Sequence, residues 1–453
     1  MKKELVCLLA GWLALWLFSA CQPNPKEEEP SGAKRTVLVY MAADNNLYYY
    51  SGINFGQLLA TADQEALNGG QLLVFWDDLD GLSRLFRVEA SANLDQADAD
   101  TTLLKNYSFE NCLTPESMAQ VFTDVHELAP ADEYGLILWS HGTGWLPADF
   151  VQRNVGWNAA RPAEGLSSDN GLNAADGVRR PWFASNGRES WPAGLPATKW
   201  FGESNGEHMD IADLGRTLER FPWEFIMMDA CYGASIEFVY ELRNAAKYLV
   251  ASPGEIVGCG FPYHWILPDL FASDTDTKGI CTRVCETFHR YYSDPDNQET
   301  YYHSSAISLI DLSAVDALAE RCRQLLATAD SLPYEWNHLQ KYDNTQPGYF
   351  YDLESILEEA LGGGSTSKSA AQASTRGALP EDLFAGAVLL HRHTDELLSA
   401  LANYNSWIPL EVCCGLSAYV PRYDCSPNPN LDFLNGRYYD TAWAKAIGLT
   451  AEE

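Results

Sequence analysis

The chain has 453 residues, with 62 acidic against 30 basic side chains, a formal net charge of −32, and 46% hydrophobic and 12% aromatic residues. Such a composition excludes a disordered chain and supplies one large α/β core with a smaller accessory region. The charge excludes nucleic acid and an anionic membrane surface as partners, since both need clustered Lys and Arg, and it suits cationic substrates as well as a merely well-solvated surface.

Lys2 and Lys3 precede an apolar stretch from Leu5 to Phe18 and then Ser19-Ala20-Cys21. Residues 1–20 read as a lipoprotein signal peptide too short to span a membrane, with Cys21 as the lipidation site. Phe18 departs from the Leu, Val or Ile usual three residues before such a cysteine. Residues 21–34, acidic and rich in proline, cannot pack and form a tether. This predicts an exported lipoprotein held to the outer membrane or cell surface of a Gram-negative bacterium.

The alternation of strand and helix begins at Thr36–Tyr40, followed by a helix over Gln57 to Ala66, a strand at Gln71–Trp76 and a hairpin arm at Leu85–Glu89. Thr114 caps a helix opened by Pro115-Glu116, which leads into the strand Tyr134–Trp139. Residues 146–206 then show no period and form an insertion rich in Trp, Pro, Gly and Asn. A helix from Asp210, a strand at Phe225–Met228, a helix over Ser235 to Ala246 and strands at Tyr248–Ala251 and Ala306–Ile310 complete the expected sheet. The predicted fold is α/β, a mainly parallel sheet with helices on both faces, plus a smaller C-terminal α/β region. The expected domains are 35–330 and 331–453, the latter with a flexible segment at 362–380 and strands at Val388–Leu390 and Leu416–Val420.

Two segments carry chemistry. Trp139-Ser140-His141-Gly142-Thr143-Gly144 and Met228-Asp229-Ala230-Cys231-Tyr232-Gly233 each lie where an apolar strand gives way to glycine. The carboxyl edge of an open α/β sheet is where ligands bind, and a cysteine nucleophile there needs an adjacent base. His141 and Cys231 are the candidate catalytic pair. The backbone N–H groups of Gly142 and Cys231 are the candidate oxyanion hole. Asp229, two residues before Cys231, is expected on the same face of the strand as a substrate-binding carboxylate for Arg or Lys, with Asp44 and Asn45 completing the pocket or forming a turn. An odd cysteine in an oxidising compartment predicts one free thiol, Cys231; most cysteines being buried and reduced is the alternative. No histidine completes a zinc spacing near Cys281 and Cys285 or Cys413-Cys414, and no metal ligands are assigned. His391 and His393 alternate on a strand and read as a solvated face.

In its order of motifs the chain resembles the clostripain-like cysteine peptidases, relatives of caspases, gingipains and legumains. The resemblance runs through Val39 to Leu47, the His-Gly-x-Gly-Trp element ending at Trp145, Asp229-Ala230-Cys231, Ala251 to Tyr263, and Gly415-Leu416-Ser417-Ala418-Tyr419-Val420-Pro421. It implies a caspase-like fold, a His/Cys dyad, peptide or protein substrates cut after basic residues, and an activation cleavage in the 146–206 region. Cys259 stands where relatives can place an acidic or polar pocket residue. The chemistry requires no cofactor; some relatives use Ca²⁺, although no calcium-loop spacing is present. Two other readings stay open: a silent surface lipoprotein binding peptide or glycan, and a different cysteine hydrolase such as an amidase or transpeptidase.

Overall fold

The computed structural model describes residues 33–79, 81–147, 202–329, 338–362, 379–402, 405–422 and 429–449. The signal segment, residues 21–32 of the tether including Cys21, most of the 146–206 insertion and most of the 362–380 segment lie outside the described residues, while Ala33 and Lys34, expected in the tether, begin the first strand.

Strands β1 (Ala33–Ala42), β2 (Gln71–Asp77), β3 (Ser83–Glu89), β4 (Asp100–Tyr107), β5 (Ala131–Trp139), β6 (Trp223–Asp229), β7 (Ala246–Ala251) and β8 (Ala306–Asp311) build most of one sheet. The short β9 (Tyr351–Asp352) lies apart, and β10 (Val388–His393) closes the nine-stranded order β10-β8-β7-β6-β5-β1-β2-β3-β4. The five central strands, β7-β6-β5-β1-β2, run parallel, and antiparallel pairs extend both edges. This is the mainly parallel α/β sheet expected from the apolar runs. β1, β5 and β6 carry almost unbroken buried residues because helices cover both faces.

Several expectations need correction. The sheet is not complete at β8: β10, expected in a separate C-terminal region, is an edge strand of the main sheet, paired antiparallel with β8. One apolar core runs from β1 through Leu416 to Trp443, so the 35–330 and 331–453 halves share their interior. The helix expected over Gln57 to Ala66 is instead α1 (Tyr48–Thr61) and the one-turn α2 (Gln64–Leu67), because Asp63 caps a new turn by accepting from the Ala66 N–H. The helix after Cys231 spans only Ile236–Glu241, since the chain turns at Leu242 to enter β7. β4 is not legible in the sequence because its residues, Tyr107 apart, are exposed or half-buried and do not alternate.

The other core packs α1 and the helices Tyr263–Leu270 and Thr277–Ser293 on the opposite sheet face. All eight described cysteines are free thiols, so the buried, reduced alternative holds for them rather than a single unpaired Cys231.

Candidate active site

β5 and β6 are adjacent and parallel, in a register that pairs Trp139 with Asp229. His141 and Cys231 each lie two residues beyond that pair, so one step of topology brings both to the same edge despite their separation in sequence. Neither stands on an open rim: they are 2% and 1% exposed.

His141 is held from the β1 side. Its Nε2 is 2.5 Å from Asn46 Oδ1 and 3.9 Å from a carboxylate oxygen of Glu203, which is itself 2% exposed. In the tautomer this contact selects, Nε2–H donates to Asn46 and Nδ1 carries the lone pair. Neither Asn46 nor Glu203 was singled out from the sequence. Asn46 belongs to the Asp44-Asn45-Asn46 run at the end of β1, and that polar run was its signal; Glu203 sits in an aperiodic insertion and had none.

Asn45 is placed as a turn residue. Its amide donates to Ala42 O (3.0 Å) and Glu203 O (2.8 Å), and its Oδ1 accepts the Leu47 N–H. Asp44 is buried, and its carbonyl accepts from the Asn205 N–H. Ser140 Oγ donates to Ala42 O and accepts from Glu203 N–H, and Ser204 Oγ donates to Asp77. Residues 203–205, where the insertion rejoins the described chain, are thus fastened across the ends of β1, β2 and β5.

Cys231 lies just beyond β6. Its Sγ accepts from the Ile256 N–H at 3.3 Å and is 3.7 Å from Ile256 O. The next residue, Tyr232, is left-handed at φ 56°, costly for a side-chain-bearing residue. It is held there by an N–H to Gly254 O and by its ring stacked 3.8 Å from Phe350. Gly144 closes the facing turn with φ 55°, and a Cβ there would lie 2.9 Å from Phe350, Ser235 and Tyr232 atoms. That close approach explains the second glycine of the His-Gly-x-Gly-Trp element.

Asp229 is fully buried, and its carboxylate accepts from the Phe261 N–H (3.2 Å) and Tyr263 OH (2.9 Å). The expectation that strand alternation puts Asp229 and Cys231 on one face needs correcting. Asp229 turns toward Tyr263, whereas Cys231, past the strand end, packs with Met228 in the other core and lines with it a cavity of about 350 Å³. Thr143, Trp145, His208 and Glu241 also line that cavity; Asp229 does not. Cys259 is half-buried beside α1, its carbonyl accepting from Asn54.

The C-terminal segment braces these turns. Ser417 N–H donates to Ala234 O, Tyr419 N–H to the buried Glu237, and the Tyr419 ring packs 4.5 Å from Trp145. Among the described residues, the only cluster of three potential metal ligands, His391, His393 and Cys413, offers imidazoles and a thiol. No step below uses Ca²⁺.

Fold and site together define an α/β protein whose chemistry-bearing side chains converge at the carboxyl edge of a parallel sheet. The sequence profile of the clostripain family matches residues 39–167 and 190–367. The chain belongs to that family and is a clostripain-like cysteine peptidase. Among solved structures it is similar to an inactive zymogen C11 protease from Parabacteroides distasonis (26% identity, TM-score 0.66, 92% of this chain and 99% of that one). It is also similar in fold to a secreted C11 cysteine protease from Bacteroides thetaiotaomicron in complex with an irreversible peptide inhibitor (24% identity, TM-score 0.64, 92% and 99%). No curated protein sequence matches it. Among the described residues no helix is long and apolar enough to cross a membrane.

Proposed function

We propose that this cysteine peptidase cleaves peptide bonds through a dyad of His141 and Cys231. The observation that carries the reading is the β5–β6 register, which sets both residues two positions past one strand pair, with His141 held by Asn46. In this mechanism Nδ1 of His141 takes the Cys231 proton, the thiolate attacks the scissile carbonyl, and the imidazolium returns the proton to the leaving amine. Water then hydrolyses the acyl-enzyme. The N–H groups of Gly142 and Cys231 receive the oxyanion, and Glu203 stabilises the imidazolium that forms.

Cleavage after Arg or Lys is the proposed specificity, with Asp229 as the carboxylate that receives the side chain. Its support is a buried acid at the end of β6 that accepts from Tyr263 OH and Phe261 N–H, so a substrate side chain would reach it from the sheet face opposite the Met228–Cys231 cavity. Asp44 is proposed to border the same pocket. The chain is proposed to be exported and anchored by lipid at Cys21; a similar protein described as secreted favours export.

The test is a fluorogenic peptide library varied at the residue before the scissile bond, run with wild type and Cys231→Ala. Hydrolysis after Arg or Lys that vanishes in Cys231→Ala supports the reading. Hydrolysis that survives in a folded Cys231→Ala protein overturns the dyad, and a preference for neutral residues overturns the pocket.

A further inference from the structure

On the edge of the sheet contributed by β10, His391 and His393 project from alternate positions, so both leave the strand on one side while Arg392 between them is exposed. They are half-buried, not the solvated face expected from the sequence. Their rings lie 5.3 Å apart at an interplanar angle of 26°, and one ligand atom from each lies within 4.8 Å of the other and of the Cys413 thiol. Cys413 comes from the segment between β12 (Ser406–Pro409) and β13 (Ser417–Ala418). No local spacing could have joined it to the two histidines; the bond from Ser308 Oγ of β8 to Gly415 O brings its segment beside β10.

The hydrogen bonds around the rings fix what each can offer. Ser308 Oγ gives its proton to Gly415 O at 2.7 Å, so His391 Nδ1, at 2.9 Å from that Oγ and 3.1 Å from Ile307 O, must be the donor. His391 Nε2 then carries a lone pair, and it is buried with no hydrogen-bond partner. His393 Nδ1 is 3.0 Å from Thr394 O and donates to it, leaving Nε2 as its lone pair too. An Nδ1–H held by a backbone carbonyl with Nε2 left to bind is the orientation metal-bound imidazoles take.

We infer that His391, His393 and Cys413 form a site for a thiophilic divalent transition metal, with Zn²⁺ the ion these ligands suit. Two imidazole nitrogens and one sulfur leave a fourth tetrahedral position for water. Bond lengths of about 2.0–2.3 Å would place the ligand atoms roughly 3.3–3.8 Å apart, so the side chains close around the ion by about 1 Å. Binding replaces the thiol proton: Zn²⁺ and Cys413–SH give the Zn–thiolate and one released H⁺. The ion would tie the edge strand β10 to the segment that continues through Gly415 to Ser417, whose N–H is bonded to Ala234 behind the Cys231 turn.

The experiment uses the tag-free, reduced full chain carrying Cys231→Ala, which removes the thiol of the proposed dyad. Co²⁺ is titrated in as the probe and Zn²⁺ then added. The expected result is one equivalent of Co²⁺ with a thiolate-to-cobalt charge-transfer band, displaced by Zn²⁺, with about one proton released per ion bound. Cys413→Ser should abolish the band, and His393→Gln should weaken Co²⁺ binding at least tenfold, each with the metal-free melting temperature retained. Absence of the band in the parent protein overturns the site. So does a full-strength band in Cys413→Ser; if that variant fails to fold, undiminished binding in His393→Gln overturns it equally.

Discussion

Glu203→Gln isolates the electrostatic part of the proposed mechanism. The substitution preserves shape, and the bonds that fasten residue 203 to Asn45 and Ser140 are made by its backbone, so they survive. What is lost is a negative charge 3.9 Å from His141 Nε2 in a pair of side chains that are 2–3% exposed. At an effective dielectric constant of about 20, a unit charge at that distance is worth about 4 kcal/mol to the imidazolium. Taken in full, this is roughly a thousandfold in the population of the thiolate–imidazolium pair; relaxation and water entry set a floor of about tenfold. The assay is kcat/KM on a basic fluorogenic peptide beside the iodoacetamide alkylation rate of Cys231 without substrate, at neutral pH. Both should fall together, by between about ten and a thousandfold. A change of less than about twofold in both, in a folded variant, refutes the role given to Glu203. A fall in kcat/KM with unchanged alkylation would move Glu203 from the histidine to substrate binding.

Cys231→Ala and His141→Ala should each abolish hydrolysis; circular dichroism and thermal melting should show a folded protein, although both side chains are buried and some stability is lost. Asp229→Asn should slow cleavage after Arg or Lys far more than cleavage after neutral residues, since losing one partner of a buried charge pair costs about 2–5 kcal/mol; equal slowing on a matched peptide set makes Asp229 structural. If the enzyme cuts itself at basic residues of its insertion, wild type should give two fragments on a denaturing gel and Cys231→Ala a single chain, whereas identical single bands exclude self-cleavage. Fully buried Glu237 has its carboxyl raised from 4.5 to about 8 by desolvation, so the folded state holds a proton that the unfolded chain releases at lower pH. Its contribution is present below pH 4.5 and is lost as pH rises toward 8. Glu237→Gln should therefore flatten the decline of melting temperature over that window, and an unchanged slope would show the group is not protonated in the fold.

Much of the sheet was legible because β1, β5 and β6 are covered on both faces, and buried parallel strands must be continuous apolar runs ending abruptly in polar or glycine residues. The same endings located His141 and Cys231, since a strand's last residue is visible in sequence even when its neighbour is not. What the sequence concealed was nonlocal. Nothing in Val388–His393 says that it pairs with Ala306–Asp311, because an edge strand with half-buried residues carries little periodicity. Asn46 and Asn45 are adjacent and chemically identical, yet one turns to the histidine and the other closes the loop beneath it. Asp229 was assigned to the face of Cys231 by an alternation that stops where the strand does.

The C-terminal motif Gly415 to Pro421 shows why resemblance ran through nearly the whole chain. It supplies none of the proposed catalytic groups, but its backbone and rings bear on the turns that carry His141 and Cys231: Ser417 on Ala234, Tyr419 on Glu237 and Trp145. Tyr232 beside Cys231 sits in a conformation that costs energy and must be over-determined by its surroundings. Phe350, stacked on Tyr232, comes from the same late part of the chain. The edge that carries His141 and Cys231 is thus built by β1, β5, β6 and the turns beside them and held in shape by the chain beyond residue 330. This is the physical reason the chain cannot be divided near residue 330 without exposing the core on which Cys231 rests.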